Sequence, residues 1–198
     1  MLIVIRRAAA AACLAMLALA PVAVRAQDAS LCDKIWKTIR SNCEGARSAW
    51  NDGDWDLYLS GYIHHGRGTY SAEKLQTFNS KSWGGGLGKR YVDDKGRTHL
   101  LYGMAIEDSH FKPQYIAGYG WLAHWRPLDS SSFRLGGGFT AFLTARTDYS
   151  HYLAPVPGIL PLGEVAWDRV SIMATYVPRL SRHGGNGDVL MVFGKIAF

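Results

Sequence analysis

After residue 26 the chain has no charge-free apolar run near the roughly 20 residues that a membrane-crossing helix needs. Cysteine is scarce, three in 198 residues. With no CxxC pair, zinc ribbons and dithiol redox sites are excluded. Also missing are the GxSxG elbow of α/β-hydrolases, the HExxH zinc helix and the GxxxxGK[ST] phosphate loop. No close Asp/His cluster offers a metal site, and neither metal nor cofactor is expected. Nor is strong basicity a property of the whole chain. The formal charge is +6, but Arg6, Arg7 and Arg25 lie in the first 26 residues with no acid beside them, leaving +3 for the rest. No nucleic-acid partner is expected from so mild a charge, whereas anionic lipid headgroups suit it.

What is present begins with targeting. Arg6 and Arg7 precede an apolar run, Ala8 to Val24, and Val24-Arg25-Ala26 resembles a cleavage site. Residues 1–26 therefore read as a secretory signal peptide, the rival being a retained anchor. Residues 27–54 hold an amphipathic helix and its linker. Leu31, Ile35, Trp36, Ile39, Cys43, Ala46 and Trp50 recur at three- and four-residue steps, predicting a helix over 30–48 with Asp28 or Ser30 as cap. It suits a soluble core or a membrane interface. A continuous helix would put Cys32 and Cys43 about 16 Å apart, too far for a disulfide, so both are expected to be free thiols.

From Trp55 to Phe198 the texture is β. Strands are expected over 55–67, 82–92, 98–108, 115–126, 133–146, 159–167, 169–177 and 188–198. Turns are expected at Asp93-Asp94-Lys95-Gly96, at 127–130 and, least distinctly, at Asp168; the glycines of 181–188 read as a loop. Several segments reach the roughly 9–11 residues of a tilted membrane strand. An exported membrane protein without apolar helices must close its backbone hydrogen bonds in a ring. Seven Trp, ten Tyr and seven Phe supply interfacial rings, among them Trp55, Trp83, Tyr91, Trp121, Trp125, Trp167 and Tyr176. The last strand alternates two faces, Val189, Met191, Phe193, Lys195 and Ala197 against Leu190, Val192, Gly194, Ile196 and Phe198. Its terminal Phe resembles the C-terminal signature of outer-membrane barrels. Gly84–Gly86 and Gly136–Gly138 inside strands allow bending or close approach to a guest. The fold class expected is all-β, an eight-stranded antiparallel outer-membrane barrel with an N-terminal amphipathic helix; a soluble lipid-binding barrel is the alternative.

For chemistry the chain offers His64 and His65 beside Arg67, then Asp108, Ser109 and His110, with His99, His124, His151 and His183 elsewhere. A histidine can take a hydroxyl proton and a carboxylate can orient it. Spacing alone assembles no triad, and a barrel without enzymatic activity remains open at this point.

A set of ordered stretches narrows the choice. They are Trp55-Asp-Leu-Tyr58, His65-Gly-Arg67, Ser82-Trp-Gly-Gly-Gly86, Leu101-Tyr-Gly-Met104, Glu107-Asp-Ser109, Ile116-Ala-Gly-Tyr-Gly-Trp121, Trp125-Arg-Pro127, Gly138-Phe-Thr140, Thr144-Ala-Arg146, Ile159-Leu-Pro-Leu162 and Thr175-Tyr-Val-Pro178. In this combination the chain resembles the lipid A palmitoyltransferase family, PagP, from helix to terminus. The resemblance implies a barrel whose interior holds one hydrocarbon chain, monomeric and set among outer-membrane lipids. It implies transfer of palmitate from the sn-1 position of a phospholipid donor to a hydroxyacyl chain of a lipid A acceptor. The family's required histidine falls on His65, and its aspartate and serine on Asp108 and Ser109. His65 is then the base, Asp108 its orienting group, and Ser109 either a nucleophile or, preferred, a positioning donor. The glycine at the family's acyl-pocket floor falls on Gly120. Two prolines near gaps in the family's strand pairing are Ser60 and Ser82 here, which leaves lateral lipid access open.

Overall fold

A computed structural model of the chain describes residues 32, 36–127, 132–146, 154–179 and 187–198. The signal peptide expected over 1–26, the capping residues Asp28 and Ser30, the turn over 128–130 and most of the 181–188 loop lie outside the described residues. The strands are β1 (Asp54–His65), β2 (Gly84–Val92), β3 (Thr98–Glu107), β4 (Pro113–Trp125), β5 (Phe133–Arg146), β6 (Val156–Trp167), β7 (Val170–Val177) and β8 (Val189–Ala197). Each pairs antiparallel with its sequence neighbour, and β8 returns to β1 to close the barrel. The expected architecture is what the chain adopts, with strand ends within three residues of those read from alternation.

The turns explain the closeness of that match. Asp93 accepts the N–H of Gly96 and donates its own N–H to Arg97, while Gly96 takes a φ of 73°. Partial burial alone would raise the Asp93 carboxyl. Hydrogen bonds from the Arg97 backbone and guanidinium, from His99 and from the Lys95 N–H outweigh it and hold the group down at about 2. At the other short turn Asp168 adopts a φ of 50° between the paired Trp167 and Val170. A two-residue hairpin needs that left-handed conformation, which Asp tolerates.

Side chains alternate as the pleat requires. Outward-facing Leu59, Leu87, Leu143, Ile159, Ile172 and Leu190 are exposed, as are Trp55, Trp83, Trp125 and Trp167 near strand ends. Water would disfavour so much apolar wall. A closed barrel with that wall and aromatic ends fits an outer membrane.

The interior has two halves. Toward the 93–97 turn it is ionic. Lys195 Nζ lies 2.8 Å from Glu164 Oε1 and 3.8 Å from Asp56 Oδ2. Glu164 also meets His124 at 2.7 Å, and Asp56 meets Arg90 at 3.3 Å. Thus the Lys195 face of β8 is the inward one, its buried charge matched by carboxylates. Above this cluster Tyr58, Leu100, Leu122, Leu162, Met173 and Phe193 form an apolar layer. Gly88 makes room for it, since a Cβ there would lie 2.7 Å from Tyr58 Cε2.

The chain divides into two compact units, Met1–Cys43 and Glu44–Phe198. In the first, Cys32 and Cys43 are joined by a disulfide with their Cα atoms 5.6 Å apart. This corrects the expectation of two free thiols. The error lay in assuming one continuous helix over 30–48. Helix α1 is Lys37–Asp52, and Trp36 precedes it, its carbonyl accepting the N–H groups of Ile39 and Arg40. The 1.5 Å rise per residue therefore does not apply from Cys32 onward. We expect the purified protein to take up a thiol reagent at neither cysteine before reduction and at both afterwards; uptake without reductant would contradict the bridge. In the second unit the last turns of α1 meet the ionic end of the barrel. Ala49 is fully buried, Lys89 Nζ donates to the Trp50 carbonyl at 2.7 Å, and the Trp50 side chain is exposed.

Candidate active site

At the barrel end opposite the 93–97 turn, three stretches converge: the end of β1, the loop between β3 and β4, and the long β1–β2 connection. The connection carries a short helix not expected from the sequence, α2 (Ala72–Gln76), capped by Ser71. Period-2 alternation separates the two adjacent histidines. His64 faces outward, exposed and stacked on Tyr62, while His65 is buried facing in. His65 Nε2 lies 2.9 Å from Ser109 Oγ. If that hydroxyl donates, Nε2 carries the lone pair and Nδ1 the proton.

Asp108 stands elsewhere in the same cluster. Its carboxylate accepts the N–H groups of His110 at 2.8 Å and Lys112 at 2.9 Å and pairs with Arg146 at 3.3 Å. Among the described residues its hydrogen-bond partners do not include His65. Asp108 thus shapes the loop that presents Ser109. The structure brings His65 and Ser109 into contact and sets Asp108 behind them. Sequence reading gave no role to Arg146, although alternation along β5 places it on the same face as inward Thr140 and Thr144. It also missed Tyr70, Phe78 and Asn79, which lie in a connection without periodicity. His99 and His124 lie apart from this cluster. His99 bonds Tyr119 at 2.7 Å near the 93–97 turn, and His124 bonds Glu164. His151 and His183 lie outside the described residues. Among the described residues no cluster of His, Cys, Asp or Glu could hold a metal.

Below the His65–Ser109 pair a cavity of about 460 Å³ runs into the barrel, within the roughly 300–1,000 Å³ typical of small-molecule sites. Its mouth has His65, Ser109, His110 and Arg146; its far wall has Tyr58, Leu100, Leu162, Met173 and Phe193. A polar rim over an apolar shaft suits a guest with one reactive polar end and one hydrocarbon tail. Gly120 lies buried behind the far wall. A Cβ there would stand 3.3 Å from both Leu100 Cδ1 and Leu162 Cδ2.

Among the described residues the wall is interrupted twice near the mouth. Pairing of β6 with β7 stops at Leu162 and Thr175, although both strands continue toward the rim. Pro157 and Pro161 on this stretch of β6 have no N–H to donate. Pairing of β1 with β2 stops at Leu59 and Gly85. Beyond it the Ser60 hydroxyl donates to the Ser82 carbonyl, and Ser82 Oγ donates to the Glu107 carbonyl at 2.6 Å. The interruption between β1 and β2 therefore exists without proline, and serine side chains span it.

This arrangement has relatives. The family model described as "Antimicrobial peptide resistance and lipid A acylation protein PagP" matches residues 46–195. The chain belongs to the PagP family. A relative named "Lipid A acyltransferase PagP" from Bordetella parapertussis is 42% identical over 170 residues, covering 86% of this chain and 90% of that protein. One of the same name from Legionella pneumophila is 38% identical over 167 residues, covering 84% and 86%. The PagP match spans β1 to β7, β8 as far as Lys195, and both members of the His65–Ser109 pair.

Proposed function

We propose that the chain moves a palmitoyl group from the sn-1 position of a phospholipid to a hydroxyl of lipid A at the outer membrane. The observation that carries this reading is the His65–Ser109 pair set at the mouth of a closed apolar shaft. Family membership supports the reaction class, and the relatives' names supply lipid A as acceptor. The interrupted β6–β7 pairing supports lateral access for a lipid already in the bilayer. Export with loss of residues 1–26 and a monomeric state complete the proposal.

The donor's acyl tail fills the shaft, which holds its ester carbonyl near the rim. His65 Nε2 takes the proton of the acceptor hydroxyl as that oxygen forms the new ester bond to the carbonyl carbon. The bond to the sn-1 oxygen breaks, and His65 returns the proton to that oxygen, releasing a lysophospholipid. Ser109 donates to the ester oxygen as negative charge grows there. Arg146, neutralised by Asp108, keeps the charged rim from standing unpaired beside hydrocarbon.

The test combines folded protein, lipid A and a phospholipid bearing different labels on its two acyl chains. The sn-1 label is expected on lipid A, together with a lysophospholipid retaining the sn-2 label. Absence of label on lipid A, or transfer of the sn-2 chain, would refute the reading.

A further inference from the structure

We propose that Phe78 and Asn79 are positioning residues that fix His65 against Ser109. The proposal rests on the assignment of those two residues as the transfer site. The Phe78 ring lies 4.4 Å from the His65 imidazole, centroid to centroid, with 33° between planes. Tyr70 closes on both, 5.1 Å from Phe78 and 5.7 Å from His65, edge-on to each. Contact through ring faces and edges limits rotation of the imidazole and leaves Nε2 for Ser109. Asn79, the next residue, binds the other partner. Its N–H donates to the Ser109 carbonyl at 2.8 Å, and its buried side chain reaches Glu107 Oε2 at 3.3 Å while accepting the Lys81 N–H at 2.9 Å.

One dipeptide therefore touches both halves of the pair. His65 ends β1 and Ser109 lies between β3 and β4, so no strand register fixes their separation. Helix α2 delivers the dipeptide. Ser71 Oγ accepts the Lys74 N–H, and the last turn closes with Thr77 N–H to Lys74 and Phe78 N–H to Leu75. Misplacement of a reacting group by about 1 Å can cost about 100-fold in rate. Leucine at 78 keeps the apolar volume without the flat face.

The full chain, folded in detergent micelles, is assayed with lipid A and labelled phospholipid, counting only protein that migrates as folded barrel on an unheated gel. Phe78→Leu is expected to lower kcat at least about tenfold with the donor KM near wild type, as loss of orientation alone requires. Phe78→Tyr restores most of kcat. The ring-current shift of the His65 ring protons collapses in Phe78→Leu and survives in Phe78→Tyr. Wild-type kcat in Phe78→Leu, a loss confined to KM, or Phe78→Tyr no better than leucine would overturn the proposal. Should Phe78→Leu not fold, Asn79→Ser gives the reading: a several-fold fall in kcat supports the clamp and an unchanged kcat overturns it. His65→Ala in the same assay separates the two levels. Dead His65→Ala beside fully active Phe78→Leu sinks the clamp alone, whereas active His65→Ala sinks the transfer-site assignment beneath it.

Discussion

His65→Ala is expected to lower acyl transfer by about 10²- to 10⁴-fold, the usual contribution of a positioned acid–base group, while His64→Ala stays close to wild type. The two residues are chemically identical and adjacent, so composition cannot separate them. The pleat does: His65 is buried beside Ser109 and His64 is exposed on the outer wall with Tyr62. The imidazole contributes no hydrogen bond to the barrel ladder, so its loss should leave the fold intact, checked by heat-sensitive gel mobility and far-UV spectra. The measurement is initial-rate transfer from labelled phospholipid to lipid A. Equal losses in both variants would mean that neither ring acts through its position. Retained activity in His65→Ala would remove it from the chemistry.

The strands were legible because the physics that makes them is local. Alternation along Val189 to Ala197 survives in the structure, with Phe193, Lys195 and Ala197 buried. Sequence could not say which face turned inward, because a lone lysine suggests solvent; only the carboxylates of Glu164 and Asp56, from distant strands, make burial tolerable. The Cys32–Cys43 bridge was misread for a related reason. Periodicity continued backward through Trp36, but the helix did not. The residues of the site came from resemblance, and their contacts from the fold. The resemblance made Asp108 an orienting carboxylate for His65, yet the loop's own N–H groups and Arg146 hold that carboxylate. Phe78 and Asn79 carried no signal, since a connection without period shows its purpose only when folded.

Gly120→Met is expected to move donor preference from palmitoyl to chains several carbons shorter while the His65-dependent reaction persists on the shorter donors. Gly120 is paired on one side with Leu100 and on the other with Thr140, so hydrogen-bonded strands hold it and the wall cannot swell outward. A new Cβ would already press on Leu100 and Leu162 at 3.3 Å. The rest of a methionine must pass these leucines into the shaft or push them there; both shorten it. Each methylene denied its apolar site forfeits about 0.8 kcal/mol. Excluding three costs about 2–3 kcal/mol, roughly 30- to 150-fold in discrimination against the long donor. Gly120→Ala asks less of the leucine termini and should shift the profile by about one or two carbons on the same scale. Overpacking also costs about 1–3 kcal/mol of stability, so rates are compared only for protein that migrates as folded barrel. The check is transfer from phospholipids with sn-1 chains of graded length. A profile that keeps its maximum at palmitoyl in both variants would mean that the shaft does not end at Leu100 and Leu162. A uniform loss across all lengths would instead point to damage at the rim, where His65 and Ser109 meet the ester.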